Sequence, residues 1–341
     1  MTALPNRLTR PVKLKYLTRQ WLGAFMIKEV SGALLVAMLL TAVAASATSS
    51  QVSRAGQITP ADVLEKVELL RANLELIRQA LEEDPAGEPI LQVRNAQPAE
   101  VYSQARNLEQ LAFEFAFEKT RRYRPPSTMI LGEVTPAEVE AVFDNALHAI
   151  LSVNTSLEIK DSEAVVAPAV NTRPADVFNA AVAAGNTLNK LMKRETTPGN
   201  VFQIVNTATY LATNLHSVIT GKPELPAPPA LESDRSSTEV FVRMQRCFEL
   251  IKALAAYRGL QTLEFDVDPS LLSQVGPDDV RDLAFLLVEE LHIIHQNTPG
   301  ASEPGQVYTP GEKRPAQVYQ RVGLLELILS ELVAAELGSG L

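Results

Sequence analysis

The sequence predicts an all-α protein, and three observations support this prediction. A short phrase typical of a helix start occurs eight times along the chain. Apolar residues follow each occurrence at steps of four and three, which is the spacing of one helix face and not the alternation of a strand. The composition, 46% apolar and 21% charged, is that of a globular chain.

Each predicted helix begins at a five-residue phrase that ends in Val. An acid or amide stands directly before this Val, and in seven of the eight copies Pro stands three positions before it. Pro suits the first helical position, since the N–H that it lacks would have no partner there. The acid or amide lies two residues later, where it can bond free backbone N–H groups and face the positive end of the helix dipole. Phrases that begin with Gln, Arg or Gly lack a hydroxyl cap, so we expect less sharply defined starts there. The eight phrases are residues 59–63, 97–101, 135–139, 173–177, 197–201, 236–240, 276–280 and 314–318.

Apolar residues repeat from the Val of each phrase in one common register. In the first predicted helix they are Val63, Val67, Leu70, Leu74, Ile77 and Leu81. A four–three spacing is typical of helices that pack nearly parallel or antiparallel in a bundle. We therefore expect amphipathic helices of about 20–23 residues, each roughly 30–35 Å long at 1.5 Å per residue, with a buried seam that begins at the Val.

The distances between the phrases predict a second level of repetition. The phrases begin 38, 38, 38, 24, 39, 40 and 38 residues apart, so the short step falls between the fourth and the fifth. Internal repetition of this kind is typical of helical repeat proteins. We expect a duplicated four-helix unit, with the first copy in residues 48–194 and the second in residues 195–341.

The segments between the predicted helices take about 14–18 residues, where helix connections in bundles usually take about 2–8. They contain apolar pieces at residues 89–93, 129–131, 165–170 and 263–267, so we expect ordered, partly extended linkers. An extended linker of that length reaches roughly 45 Å, enough to return along a whole helix. Helices within one unit would then be parallel, with a reversal of direction at residues 194–197. An up-and-down bundle with irregular loops is the alternative, and the sequence leaves the two arrangements open.

Residues 1–47 have the features of a secretory signal segment. They carry six basic residues against one acid, a net charge of +5. An apolar run follows from Val30, and it ends on the Ala-Ser-Ala of residues 45–47, a pattern typical of a signal-peptidase site. We expect cleavage after Ala47, and a start at Met26 would leave a leader of ordinary length. An uncleaved signal anchor is the alternative, because the 18 residues from Val30 to Ala47 are near the minimum that spans a bilayer.

The charge and the cysteine content agree with export. Removal of the +5 segment from a chain of net charge −9 leaves a mature protein of −14, which argues against nucleic acid as a partner. Cys247 is the one cysteine, so neither disulfides nor a cysteine-based metal centre are expected. An exported protein without disulfides is typical of a bacterial periplasm. We expect a periplasmic or secreted protein that meets the membrane only through its N-terminal segment, if that segment stays uncleaved.

The motifs of common enzyme classes are missing from the sequence, which has no glycine-rich phosphate loop, Gly-x-Ser-x-Gly turn or His-Glu-x-x-His pair. Its best catalytic-looking fragment is residues 289–295, where Glu289 precedes His292 at the Glu-x-x-His spacing of helical di-iron sites. Such a site needs a second Glu-x-x-His, which the sequence lacks, and the seam of this helix puts Glu289 on the opposite face. We therefore interpret these residues as solvated charge and predict no catalytic residue, no metal site and no cofactor.

Cys247 and four repeated aromatic residues are interpreted as packing residues. Cys247 falls on the seam of the sixth helix, where a buried and unreactive thiol is expected. The aromatic residues follow the Val of the second, fourth, sixth and eighth phrases, at Tyr102, Phe178, Phe241 and Tyr319. Repeats usually preserve packing units, so we expect each ring to pack a linker onto its helix, although equivalent rings can also line a pocket.

Two functions agree with these patterns. The leading hypothesis is an exported, non-enzymatic helical repeat protein that associates with another protein or acts as a scaffold, since no polar cluster lies on the predicted seams. The second is a periplasmic small-molecule-binding or sensory module with a pocket between the two halves, where ligand sites often form. Its candidate ligand-binding residues are Tyr123, Arg124, Tyr257 and Arg258, which end equivalent helices of the two units and present cations to an anionic ligand.

Overall fold

The computed structural model describes residues 58–87, 89–127, 134–160, 171–301 and 311–339, so the expected signal segment lies outside the described residues. Within these ranges the chain is mostly helical, which confirms the all-α prediction, and it has two short strands in addition. The elements in chain order are α1 (Pro60–Ala80), β1 (Leu91–Asn95), α2 (Pro98–Thr120), α3 (Pro136–Ser156), α4 (Pro174–Leu191), α5 (Pro198–Thr220), α6 (Ser237–Tyr257), β2 (Glu264–Val267), a 3₁₀ helix (Pro269–Gln274), α7 (Pro277–Gln296) and α8 (Pro315–Ser339).

Each of the α-helices α1 to α8 begins at its predicted phrase, because the phrase satisfies backbone groups that a helix end leaves free. The acid or amide at the third helical position accepts a hydrogen bond from the N–H of the residue before the helix, as Glu138 does from Thr135 at 2.7 Å. In the phrases that begin with Thr or Ser, the hydroxyl accepts in return from the N–H of the third residue. Gln97, Arg173 and Gly276 supply no such side-chain bond, as predicted. The bond from their backbone N–H to the acid at the third helical position still defines the starts of α2, α4 and α7.

The Val of each phrase is buried, so the predicted seam is the core. The exposed fraction of these eight side chains is 4% or less, and they are Val63, Val101, Val139, Val177, Val201, Val240, Val280 and Val318. Full burial of a Val or Leu side chain stabilises a fold by about 1.5–3 kcal/mol, so the seams supply the main hydrophobic stabilisation. No helix in the described part of the chain combines the length and the apolar character that a membrane span needs.

Helices α1 to α4 pack in one set, in which α3 and α4 each contact both α1 and α2. Lys66 Nζ in the first half of α1 lies 2.9 Å from Asp144 Oδ1 in the first half of α3. Near the other end, Asn154 Nδ2 of α3 donates to Asn73 Oδ1 of α1 at 2.8 Å. Because early residues meet early residues and late residues meet late residues, α1 and α3 are parallel.

Helices α2 and α4 run in the same direction as α1 and α3. Lys193, just beyond the end of α4, pairs with Glu83, just beyond the end of α1, at 2.9 Å. The next residue, Arg194, pairs with Glu114 in the last part of α2. All four C-terminal ends of this set therefore lie together.

Helices α5 to α8 form a second set with the same pairing, since α7 and α8 each contact both α5 and α6. The first turns of these four helices line one apolar recess, through Pro198 and Val201, Ser237 and Val240, Pro277 and Val280, and Pro315 and Val318. At the other end Arg258, which follows α6, donates to Glu336 near the end of α8 at 2.9 Å. These helices are also parallel, so the up-and-down arrangement is excluded for both sets.

Two of the long linkers are extended and pair with each other. Strand β1 belongs to the α1–α2 linker and β2 to the α6–α7 linker, and they pair antiparallel with Val93 opposite Phe265. The Val93 side chain is 3% exposed, so the linker contributes to the core. This pairing confirms the ordered linkers expected at these two places, whereas the apolar pieces at residues 129–131 and 165–170 lie outside the described residues.

The two sets pack side by side with their helices in opposite directions, and α7 lies against α2 and α4. The start of α7, at Asp278, accepts a hydrogen bond from Thr196, which follows α4. Further along α7, Glu289 accepts a hydrogen bond from Ser103 near the start of α2. The chain therefore reverses direction at residues 194–197, as the parallel arrangement, one of the two that the sequence left open, requires.

The substitution Asp62→Ala tests the cap of α1. Asp62 accepts hydrogen bonds from the Thr59 hydroxyl and the Thr59 N–H, both at 2.7 Å, and these bonds lower the pKa of its carboxyl. Loss of such a cap costs about 1 kcal/mol, so we expect a lower free energy of unfolding in urea titrations. Glu65→Ala removes an exposed carboxylate of the same helix without a cap and should change the unfolding free energy by less than about 0.5 kcal/mol. Equal losses in the two variants would contradict the capping role.

Candidate ligand-binding cleft

Two adjoining cavities lie between α2, α4 and α7, where the two helix sets meet. Their volumes are about 120 and 210 Å³. Both are lined by Gln104 and Asn107 of α2, Phe178 of α4, and Phe285 and Leu286 of α7. Together they are named the interface cleft.

Carboxamide side chains form much of the polar lining of the smaller cavity. Gln104, Asn107 and Asn189 line it and are half-buried. None of the three makes a hydrogen bond through its side chain to another residue in the described ranges. A carboxamide offers both a donor and an acceptor, so these groups are available to a bound molecule.

Arg281 lines the smaller cavity and joins the two sets. Its guanidinium donates to Thr196 Oγ1 and to Asn186 Oδ1, each at 2.9 Å. It also pairs with Asp278 at 2.8 Å and with Asp282 at 2.9 Å. These contacts use the donors of the guanidinium, so Arg281 positions α7 against α4 and does not offer its charge to a ligand.

Three glutamates lie together beside the larger cavity, which Glu100 and Glu289 line. Glu100 is 1% exposed and Glu290 is 0% exposed. Glu100 Oε2 accepts from the Gln97 N–H at 2.5 Å, and Glu290 Oε1 accepts from the Leu263 N–H at 3.0 Å. The remaining oxygens, Glu100 Oε1 and Glu290 Oε2, are buried without a hydrogen-bond donor among the described residues.

Burial raises the pKa of all three carboxyls, because water no longer stabilises their charged forms. The charge of Glu290 raises the pKa of Glu100 further. The Ser103 hydroxyl donates to Glu289 and lowers the pKa of that carboxyl in part. A single proton held between Glu100 and Glu290 would give both buried oxygens a partner and would join α2 to α7.

The interpretation of residues 289–295 as solvated charge is wrong. Glu290 is fully buried, and His295, at 5% exposed, forms a hydrogen bond with Asn214 at 3.0 Å. The apolar seam of α7 identifies only the helix face that packs against α5 and α6. A second face of α7 packs against α2, where Glu289 accepts a hydrogen bond from Ser103. In the part of the chain that the structure describes, no three His, Cys, Asp or Glu side chains are arranged to hold a metal ion.

The four candidate ligand-binding residues from the sequence do not line the interface cleft. Tyr123 and Tyr257 are 76% and 44% exposed, and Arg124 is also exposed. Arg258 donates to Glu336 and so ties α6 to α8. Because the two sets run in opposite directions, the two Tyr-Arg pairs lie at opposite ends of the interface. Their binding role stays a prediction.

The residues interpreted as packing residues are mostly buried. Cys247 is fully buried, and burial raises the pKa of its thiol. The aromatic rings of the second and sixth helices are buried. The guanidinium groups of Arg235 and Arg243 lie 4.6 and 4.4 Å from the centroid of the Tyr319 ring. Phe178 is 3% exposed and lines the cleft, so one ring combines the packing role with a pocket position.

Some residues of the interface cleft could be predicted from the sequence as buried, and others could not. Phe285 and Leu286 are apolar residues outside the seam of α7, and a second apolar stripe indicates a second buried face. Gln104, Asn107 and Asn189 carry no such signal, since carboxamides are ordinary on solvated helix faces.

Comparison with protein-family models, curated proteins and solved structures gives no match to this chain. The chemistry of the interface cleft carries the functional proposal.

The buried glutamate pair predicts that the protein loses stability as the pH rises. Burial raises the pKa of Glu100 and Glu290 above the ordinary 4.5, so the folded state retains protons that the unfolded state releases. The stabilisation of the folded state by these bound protons is complete below pH values near the ordinary pKa of a glutamate. It is lost as the pH rises through the raised pKa values of Glu100 and Glu290. Glu100→Gln keeps an oxygen for the Gln97 cap and offers an amide N–H to Glu290. We expect it to raise the unfolding free energy near pH 8 by on the order of 2 kcal/mol, the scale of an unsatisfied buried polar group.

Urea unfolding of wild type and variant at several pH values measures this effect, which should shrink towards pH 5. Glu118→Gln removes an exposed carboxylate from the same helix and should keep the wild-type pH dependence. The same slope in wild type and Glu100→Gln would contradict the shared proton.

Proposed function

We propose that the protein is an exported, non-enzymatic binding module that holds a small molecule in the interface cleft. The observation that carries this proposal is the group of three carboxamides, Gln104, Asn107 and Asn189, in a cavity at the junction of two helix sets. Pockets commonly occur at such junctions, with mostly apolar walls and a few polar groups that orient the ligand.

The walls of the cleft fit a molecule of metabolite size with a polar and an apolar part. Phe178 and Phe285 contribute aromatic surface from α4 and α7. The carboxamides supply donors and acceptors without net charge. Cavities of about 120 and 210 Å³ suit a small molecule and not a folded peptide segment.

We propose binding without catalysis. The four histidines of the chain and Cys247 lie outside the lining of the cleft. The Ser103 hydroxyl donates to Glu289, and no imidazole lines the described cavity to activate this hydroxyl as a nucleophile. The bond orients the carboxylate at the cavity wall.

We also propose that the two helix sets are copies of one four-helix unit, in residues 48–194 and 195–341. The regular phrase spacing supports this proposal. So does the equivalent pairing of helices, in which the third and fourth helices of each set contact the first and second. The cleft would then lie between two related units that have diverged at their contact.

Association with another protein, as a partner or scaffold, is the second candidate, favoured by an exposed basic segment after α2. Arg121, Arg122, Tyr123 and Arg124 are all exposed, Tyr123 at 76%. On a chain of net charge −9 they form a local positive surface, which fits an acidic partner protein. Part of this charge has a structural explanation, since cations are favourable at the C-terminal end of a helix.

Gly185 of α4 allows the binding proposal to be tested by filling the cleft. A Cβ at this position would meet Leu111 Cδ1 at 3.6 Å, an ordinary contact, so Gly185→Ala should fold and bind as wild type does. Gly185→Leu extends into the smaller cavity and should abolish binding. We expect at least one compound in a library of small polar metabolites to raise the melting temperature, because a ligand at 100 times its Kd stabilises by about 2.7 kcal/mol.

The protein is expressed from the full-length sequence for this screen, and calorimetry then confirms each hit. A hit that loses binding in Gly185→Leu and keeps it in Gly185→Ala locates the ligand in the cleft. A screen without hits, or hits that are indifferent to both substitutions, would overturn the proposal.

Export is tested by N-terminal sequencing of the protein from a periplasmic fraction. The net charge of +5 in residues 1–47 and the Ala-Ser-Ala at residues 45–47 support a cleaved signal, so we expect a mature protein that begins at Thr48. Substitution Ala47→Arg should block cleavage and leave the protein membrane-bound. Recovery from the cytoplasm with residues 1–47 intact would contradict export.

A further inference from the structure

Glu100, Glu289 and Glu290 bring three carboxyls to one place without a basic partner. No lysine or arginine of the described ranges forms an ion pair or hydrogen bond with any of them. Arg106 lines the same cavity, but its guanidinium donates to a backbone carbonyl of the following linker and lies 3.9 Å from Glu109. If Glu100 and Glu290 share one proton, the group of three carboxyls still carries negative charge. Burying this charge without a basic partner costs free energy in a site with little water.

The larger cavity gives access to this charge at Glu289. Glu100 and Glu289 line it, and Glu100 Oε1 is buried without a hydrogen-bond donor among the described residues. Glu289 is half-buried, so its carboxylate reaches the cavity and not only the protein interior. A bound cation would therefore compensate the carboxylates from within the cavity.

Aromatic rings form part of the same cavity wall. Phe178 and Phe285 line it on the α4 and α7 sides. The face of an aromatic ring attracts an organic cation, and the combination of rings with carboxylates is typical of sites for amines and quaternary ammonium groups. A hydrated metal ion would gain nothing from these rings.

We propose that the interface cleft binds a small organic cation, with its ammonium group against Glu100 and Glu289 and its apolar part against Phe178 and Phe285. This assignment of ligand class rests on the proposed binding function. A bare metal ion fits poorly, because the described residues contain no group of three metal-ligating side chains suited to one, and Ca²⁺ or Mg²⁺ requires about six or more oxygen ligands.

Pairs of compounds that differ only in charge test the proposal. Choline is compared with 3,3-dimethylbutan-1-ol, its neutral isostere, and cyclohexylammonium with cyclohexanol. Calorimetry at neutral pH on the protein expressed from the full-length sequence measures each Kd. We expect at least one cation to bind at least tenfold more tightly than its neutral partner.

Glu289→Gln is the test variant, because its amide oxygen still accepts from Ser103 while the charge is lost. We expect it to weaken binding of the cation at least tenfold and to leave binding of the neutral partner unchanged. Glu118→Gln removes one exposed carboxylate of α2 and is the matched control for net charge. It should keep the wild-type Kd for both compounds. Circular dichroism and melting temperature show that each variant is folded.

The outcomes separate the ligand class from the binding function. Equal Kd values for the cation and its neutral partner, or an equal loss in Glu289→Gln and Glu118→Gln, would overturn the cation assignment. If neutral compounds bind and Gly185→Leu excludes them while no cation is preferred, the cleft is a binding site for another class of ligand. If neither these pairs nor the metabolite library contains a binder, the binding function fails as well.

Discussion

Each helix set depends on one constraint: its helices are parallel, so the chain must travel back the length of a helix before the next one begins. Long linkers meet this constraint, and β1 and β2 belong to two of them. Parallel helices add their dipoles, so negative groups are favoured at the shared N-terminal end and cations at the other. Glu138 at the start of α3 and Lys193 beyond the end of α4 follow this rule. The opposite direction of the second set offsets the summed dipoles, because positive ends lie beside negative ends.

The interface cleft follows from the antiparallel contact of the two sets. Each set buries its apolar seams inside itself, so the contact between the sets uses residues outside the seams, and many of these are polar. Polar groups at such a contact cost free energy unless they find partners. The Arg281 cluster is fully paired, whereas the carboxamides of α2 and α4 are not. These carboxamides are half-buried, so they face the cavity and make no hydrogen bond to another residue of the described ranges.

Glu100 and Glu290 make the stability of the contact between the two sets depend on what neutralises their buried charge. Their buried oxygens can be neutralised by a shared proton from solvent, and a cation in the adjoining cavity would compensate the same charge. Both agents act on the folded state alone, since the carboxyls are separated and solvated in the unfolded chain. Whatever binds the folded state alone stabilises it. The junction of the two sets thus holds two buried carboxylate oxygens that have no hydrogen-bond donor among the described residues.

The sequence by itself determined the helices, their starts and their buried seams, because caps and helical periodicity are properties of short segments. Val139 and its neighbours on α3 could be assigned to the core without any knowledge of the partner helix. The direction of packing could not be assigned, since parallel and antiparallel bundles use the same four–three seam, and contacts such as that of Lys66 with Asp144 decided it. The interface cleft could not be predicted from the sequence either. Gln104 and Glu290 resemble solvated helix residues until α2 and α7 come together, because burial at a contact between sets depends on the assembled structure and not on the segment that supplies the residue.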